Sequence, residues 1–254
     1  MSDIPAYTRL VLEMAADAVG NDAIRFSAEL ARAFGADMHG VFVEDESLSR
    51  LAALPFVREF RLTSYSWQQV DSAVLAQDIR NRADAERDRL RRVAAQVGVR
   101  QGFEVRQGRA VACVAGMCTT TDIVAIQGRG DADLGAMAGS PAASLFLPDR
   151  WAHPHGELVA VALSSDDPVF AVGARLARAL GTGLVAILAD GETGRVPEAA
   201  ETRHAASTAT ADIARVLGRT DERLIVLGRT VADALGADGA ARLARSRHAA
   251  VLAV

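Results

Sequence analysis

The stretch DIVAIQGRGDADLGAMAGS, residues 122–140, decides the fold. Ile123 to Ile126 is an unbroken apolar run, the pattern of a short strand buried on both faces. It breaks at Gly128-Arg-Gly130, continues through a polar loop and reaches Gly139-Ser140. In an open parallel sheet, ligands collect beyond the carboxyl ends of the strands, where glycines let backbone N–H groups approach an anion. A reduced copy follows one hundred residues later, with Leu224 to Leu227 and then Gly228-Arg229.

The echo extends outward from these strands. Leu30-Ala-Arg-Ala-Phe-Gly35 matches Leu176-Ala-Arg-Ala-Leu-Gly181 at an offset of 146, whereas the two Gly-Arg pairs match at an offset of 100. The second copy is therefore about 46 residues shorter between its second strand and its glycine strand. Residues 1–150 form the expected first domain and 157–254 the second, with Pro148, Trp151, Pro154 and Gly156 in the linker.

Within the first copy, Leu10–Met14 and Met38–Val43 read as strands around a helix that runs to Phe34 and ends at Gly35. Ile24, Ala28, Ala31 and Phe34 give that helix one buried face. Strand, helix, strand with short joints is a βαβ unit, so the strands are expected to be parallel. Residues 47–66 carry no pattern of their own, and a long helix is expected over 68–97. The second copy restarts with strands at 158–163 and 184–188 around a helix at 168–180. Residues 191–209 are expected to form a surface loop. A helix at 210–217, the strand 224–227, a helix at 239–244 and a last strand at 249–254 complete it.

The 254 residues are half apolar, rich in alanine and poor in aromatics, which suits helices packed on a sheet. A net charge of −4 supplies no basic field for nucleic acid or an anionic bilayer. There is no apolar run of membrane-spanning length and no signal-peptide pattern, so a cytoplasmic location is expected. Cys113 and Cys118 are neither a metal-ligand pair nor a redox motif, and they read as small buried hydrophobes. No nucleophile–base pair, Walker pattern or dinucleotide fingerprint appears, so neither catalysis nor a metal centre is expected. Glu44-Asp45-Glu46 reads as charges opening a solvated loop, and His153 and His155 as solvent-facing.

This order of elements, with the glycine loop after the fourth strand, resembles the universal stress proteins in their tandem form. The resemblance implies two five-stranded parallel α/β sheets of the Rossmann-like kind, the second reduced. One subclass binds ATP through G-x2-G-x9-G-(S/T). The nearest equivalent here is Gly128-x-Gly130-x8-Gly139-Ser140, one residue short in each gap, and Pro141 removes one amide. An acidic residue at the end of the first strand is also implied, for which Glu13 and Asp17 are the candidates. Val43 at the end of the second strand completes the set. The resemblance thus implies a regulatory protein that binds ATP or another adenine nucleotide in the first domain only. In the second copy, Leu163 stands where the acidic residue belongs and the loop after Gly228 lacks a Gly-Ser end.

The alternative is an interaction scaffold that kept the fold and lost the ligand. Leu54-Pro-Phe-Val57, with Tyr65 and Trp67 nearby, would then serve a homodimer or another protein partner through 47–66. The last strand, 249–254, is a second candidate for pairing. The family arrangement would join the two fifth strands.

Overall fold

The computed structural model describes residues 6–14, 20–52, 54, 56–63, 65–127, 134–189, 192, 194–218 and 220–254. The first half runs β1 (Arg9–Met14), α1 (Asn21–Phe34), β2 (Asp37–Glu44), α2 (Glu46–Ala52), β3 (Arg58–Arg61), β4 (Ser66–Gln69), α3 (Ser72–Val97), β5 (Gln101–Gln107), α4 (Ala110–Gly116) and β6 (Asp122–Gln127). A 3₁₀ turn, Leu134–Gly139, leads to β7 (Ala143–Leu147). The second half runs β8 (Glu157–Ala162), α5 (Val169–Leu180), β9 (Leu184–Leu188), β10 (Glu201–His204), α6 (Thr210–Leu217), β11 (Glu222–Leu227), α7 (Arg229–Arg247) and β12 (Ala250–Ala253).

The sequence echo has a structural meaning. Gly35 and Gly181 both adopt left-handed backbone, with φ of 71° and 67°, and turn their N–H groups back onto the last carbonyls of α1 and α5. Only a residue without Cβ takes this conformation at little cost, so LARAFG and LARALG are one helix terminus written twice.

Ten strands form one sheet in the order β10-β9-β8-β11-β12-β7-β6-β1-β2-β5. Each half repeats the order third, second, first, fourth, fifth, and all pairs within a half are parallel. The halves meet where β12 runs antiparallel to β7. The last strand is thus an inner strand of the chain's own sheet, not a free edge. Because the seam is antiparallel, the carboxyl ends of the two strand sets point to opposite edges of the sheet.

Apolar layers cover both faces and cross the seam. One combines α1, α3 and α5 residues with Leu10, Leu145, Leu158 and Leu252; the other combines α4, α6 and α7 residues with Val11, Val124, Val159 and Val251. Alternate residues of every central strand feed alternate layers, as the pleat requires. Arg223 bonds Glu29 and lies over the Phe26 ring, which stacks on Trp151 at 4.7 Å, so α1 is tied to the second half.

Three segments differ from their sequence reading. Residues 47–66 hold part of α2 and β3, which pairs with β4 at 66–69 in an antiparallel hairpin, and the long helix starts at Ser72, where Asp71 accepts hydrogen bonds from the N–H groups of Ala73 and Val74. Residues 191–209 contain β10, so the second half keeps its third strand and lacks only counterparts of α2, the hairpin and α3. The helix expected at 239–244 spans Arg229–Arg247, broken at Gly236 (φ 65°, ψ 172°).

Candidate functional site

Three places deserve the name of candidate: the mouth at the carboxyl ends of β1, β2 and β6, the equivalent mouth of the second half, and the hairpin. In the first mouth, Glu13 is buried at the end of β1. It lies two residues beyond Val11, hence on the same sheet face, and Val43 packs on that same layer from β2. The structure therefore brings Glu13 and Val43 to one side of one mouth. Gln127, also buried, ends β6 two residues beyond Ala125 and so lies on the other face. Its Nε2 reaches Asp149 at 3.5 Å, and its Oε1 has no hydrogen-bond partner among the described residues. Asp17, Gly128 and Gly130 lie outside the described residues.

Gly139 and Ser140 are not brought to that mouth. Ala143 pairs with Ile123 near the start of β6, so Ser140, three residues earlier, sits at the foot of the first half. The short 3₁₀ turn Leu134–Gly139 stands where the second half has the longer α7. Ser140 is spent locally: its N–H donates to Met137 O at 3.0 Å and its Oγ accepts from Ala142 N at 3.4 Å. Across the seam it lines a cleft of about 220 Å³ with Ser144, Arg229, Asp233 and Gly236.

The second mouth is lined by carboxylates. The Glu192 carboxylate accepts from Ser165 N (3.1 Å) and Ser165 Oγ (3.2 Å). Asp167 accepts from Val169 N (2.9 Å) in the first turn of α5, and its carboxylate lies 3.0 Å from where a Cβ on Gly228 would stand. The Ser165 N–H and hydroxyl and the Val169 N–H are thus matched to carboxylates, which would also repel an anion. Asp167 and Glu192 escaped the sequence reading because neither carries a spacing signal.

Other acidic and histidine groups are engaged as well. Asp45 Oδ1 accepts from Ser47 N at 2.8 Å, and the Ser47 hydroxyl together with this N–H holds its carboxyl below the usual range; Glu46 pairs with Arg50, and Glu44 accepts from Gln107. His153 pairs with Asp221 at 3.3 Å. Among the described residues no group of three His, Cys, Asp or Glu side chains could hold a metal ion, and no helix is long and apolar enough to cross a membrane.

The hairpin presents the opposite character. Register sets Phe60 opposite Trp67 and Glu59 opposite Gln68. Phe60 and Trp67 therefore share a face, with ring centroids 5.4 Å apart, and Tyr65 meets Phe60 edge-on at 6.5 Å. Yet Phe60 is 43%, Trp67 61% and Tyr65 81% exposed, while Glu59 and Ser66 on the other face are half-buried. An aromatic face left more open than the polar residues Glu59 and Ser66 behind it reverses the usual order.

Two doubly wound units joined through their fifth strands define the fold class, that of the universal stress proteins. A universal stress protein from Archaeoglobus fulgidus is similar over 96% of this chain and 95% of its own, with a TM-score of 0.61 and 10% identity. A functionally unknown protein from Pseudomonas aeruginosa matches over 99% and 93%, with a TM-score of 0.58 and 13% identity. A second Pseudomonas aeruginosa protein, provisionally placed among the universal stress proteins, matches over 99% and 94% with a TM-score of 0.57 and 14% identity. At these identities the likeness is one of fold. No family model and no curated protein matches the sequence.

Proposed function

We propose that this chain is a regulatory binding protein on the universal-stress-protein fold, whose working surface is the excursion 46–71. The observation that carries the reading is the outward aromatic face of Phe60, Tyr65 and Trp67. Exposed aromatic clusters of this kind mark protein contacts, because water gains when they are covered. The carboxylates that line the second mouth and the position of Ser140 at the foot of the first half support the same reading. It assigns no reaction to the chain.

A photo-crosslinking residue at Trp67, compared with one at the exposed Asp238 on α7, tests this in cells that make the protein. Protein adducts formed at 67 and absent at 238 are expected. Equal or no adducts at the two positions would defeat the reading.

A second reading rests on Glu13 and Val43 sharing the first mouth: an adenine nucleotide held there, with Glu13 accepting from the ribose or base. Titration calorimetry with ATP, ADP and AMP, with and without magnesium, tests it. Saturable heat abolished by Glu13→Ala supports it, and no heat at millimolar nucleotide ends it.

A further inference from the structure

We infer that the aromatic face of the hairpin is covered by a second copy of this chain, two hairpins packing face to face about a twofold axis. This rests on the reading of the excursion as a contact surface and names its occupant.

A two-stranded hairpin is at best marginally stable in water, and it needs a further layer to bury one face. Among the described residues the β3–β4 sheet is separate from the main sheet, and no other element packs extensively on it. The aromatic face is thus open to a layer supplied from outside the chain.

The size of the surface fits one side of a dimer. Phe56, Phe60, Tyr65 and Trp67, exposed by 75, 43, 81 and 61%, leave about 500 Å² of ring-bearing surface open. Leu51, Leu54 and Leu62 on the same excursion, with Val74 in the first turn of α3, are also exposed and bring the total toward the roughly 800 Å² that each partner of a stable complex buries.

The chemistry of the face fits a copy of itself. Alternation along β3 and β4 places Arg58 and Gln69 at one end of the face and the aromatic residues at the centre. A single charge at the rim gives no field of one sign by which to select an oppositely charged partner. Apolar centre on apolar centre is self-complementary, which is what a twofold interface requires. Stacked sheets lie about 10 Å apart, within reach of interdigitating Trp, Tyr and Phe side chains.

Sedimentation equilibrium on the full chain should give twice the 26.7 kDa of one protomer. Trp67→Glu and Tyr65→Glu should each weaken the dimer by roughly 30-fold or more, with circular dichroism and urea midpoints unchanged. Asp238→Arg should leave the dimer intact. In a Trp151→Phe background, where Trp67 is the only tryptophan left, its emission should shift to the red as the protein is diluted. A full chain that stays monomeric, a dimer indifferent to both glutamate substitutions, or a Trp67 emission indifferent to dilution overturns the proposal. A monomer whose Trp67 crosslinks to a different protein overturns the occupant and leaves the contact-surface reading standing. A monomer with no adduct at 67 defeats both.

Discussion

Leu252 of β12 lies opposite Leu145 of β7 in antiparallel register, and both are fully buried. Among the described residues this pair belongs to the one antiparallel contact in the ten-stranded sheet, and it joins the two halves through the apolar layer shared with α1, α3 and α5. Leu252→Ala should cost about 3 kcal/mol, the transfer loss plus the cavity left behind. Leu252→Pro should cost more, because it also removes a strand N–H in the middle of the sheet. Urea unfolding measures both. If the halves are one cooperative unit, far-ultraviolet and tryptophan signals should move together in the alanine variant.

How far the letters reach is clear at particular residues. Gly35 and Gly181 announce two copies of one helix end, and the apolar runs 123–126 and 224–227 announce central strands, because these signals are local. β10 stays hidden because, as an edge strand, its burial alternates weakly and its residues are polar. The direction of 134–142 is hidden for a different reason. Glycine spacing gives a distance along the chain, whereas a tight 3₁₀ turn decides which end of the sheet the chain reaches. Phe60, Tyr65 and Trp67 are visible as aromatics, but their shared face exists only once β3 pairs with β4.

Arg9 and Asp122 test the electrostatics of the first half. Arg9 Nε and NH2 donate to the two Asp122 oxygens at 3.0 and 2.9 Å, and Thr119 adds its N–H and hydroxyl. Burial alone would raise the Asp122 carboxyl, but these bonds outweigh it and hold it below the usual range. A folded pKa below the unfolded value stabilises at pH above about 3.9, and that contribution fades as pH falls through the folded value. Asp122→Asn should therefore cost about 2 kcal/mol at neutral pH. Wild-type and variant midpoints should converge in acid.

Tyr7 sets an alkaline limit. It meets Phe34 edge-on at 5.0 Å, and burial raises its hydroxyl from 10.0 to about 12, with Arg229 partly opposing. The unfolded chain loses this proton first, so the contribution of Tyr7 is complete below pH 10.0 and declines as pH rises toward about 12. Burial likewise raises the Cys118 thiol from 9.0 to about 11, which adds a separate decline that begins earlier. Tyr7→Phe should flatten the upper part of the stability profile and Cys118→Ala the lower part. Thermal melts across the alkaline range read both.

Gly156 and Gly139 should respond very differently to the same substitution. A Cβ on Gly156 would stand 1.9 Å from the Asp221 carbonyl oxygen and 3.1 Å from Arg223 N, where backbone, not a flexible side chain, must yield. That carbonyl also accepts from Glu157 N at 2.8 Å, so moving it disturbs the β8–β11 pairing. Gly156→Ala should cost about 2–3 kcal/mol. A Cβ on Gly139 meets nothing within 4 Å, so Gly139→Ala should stay within about 0.5 kcal/mol of wild type. The same position bears on function. In a phosphate loop at the first mouth, even a larger residue at 139 would block a ligand; at the foot of β7 it cannot reach one. Any heat of nucleotide binding should therefore survive Gly139→Val and be lost in Glu13→Ala. Loss in the valine variant would return Gly139 to the mouth and undo the path assigned here to residues 134–142.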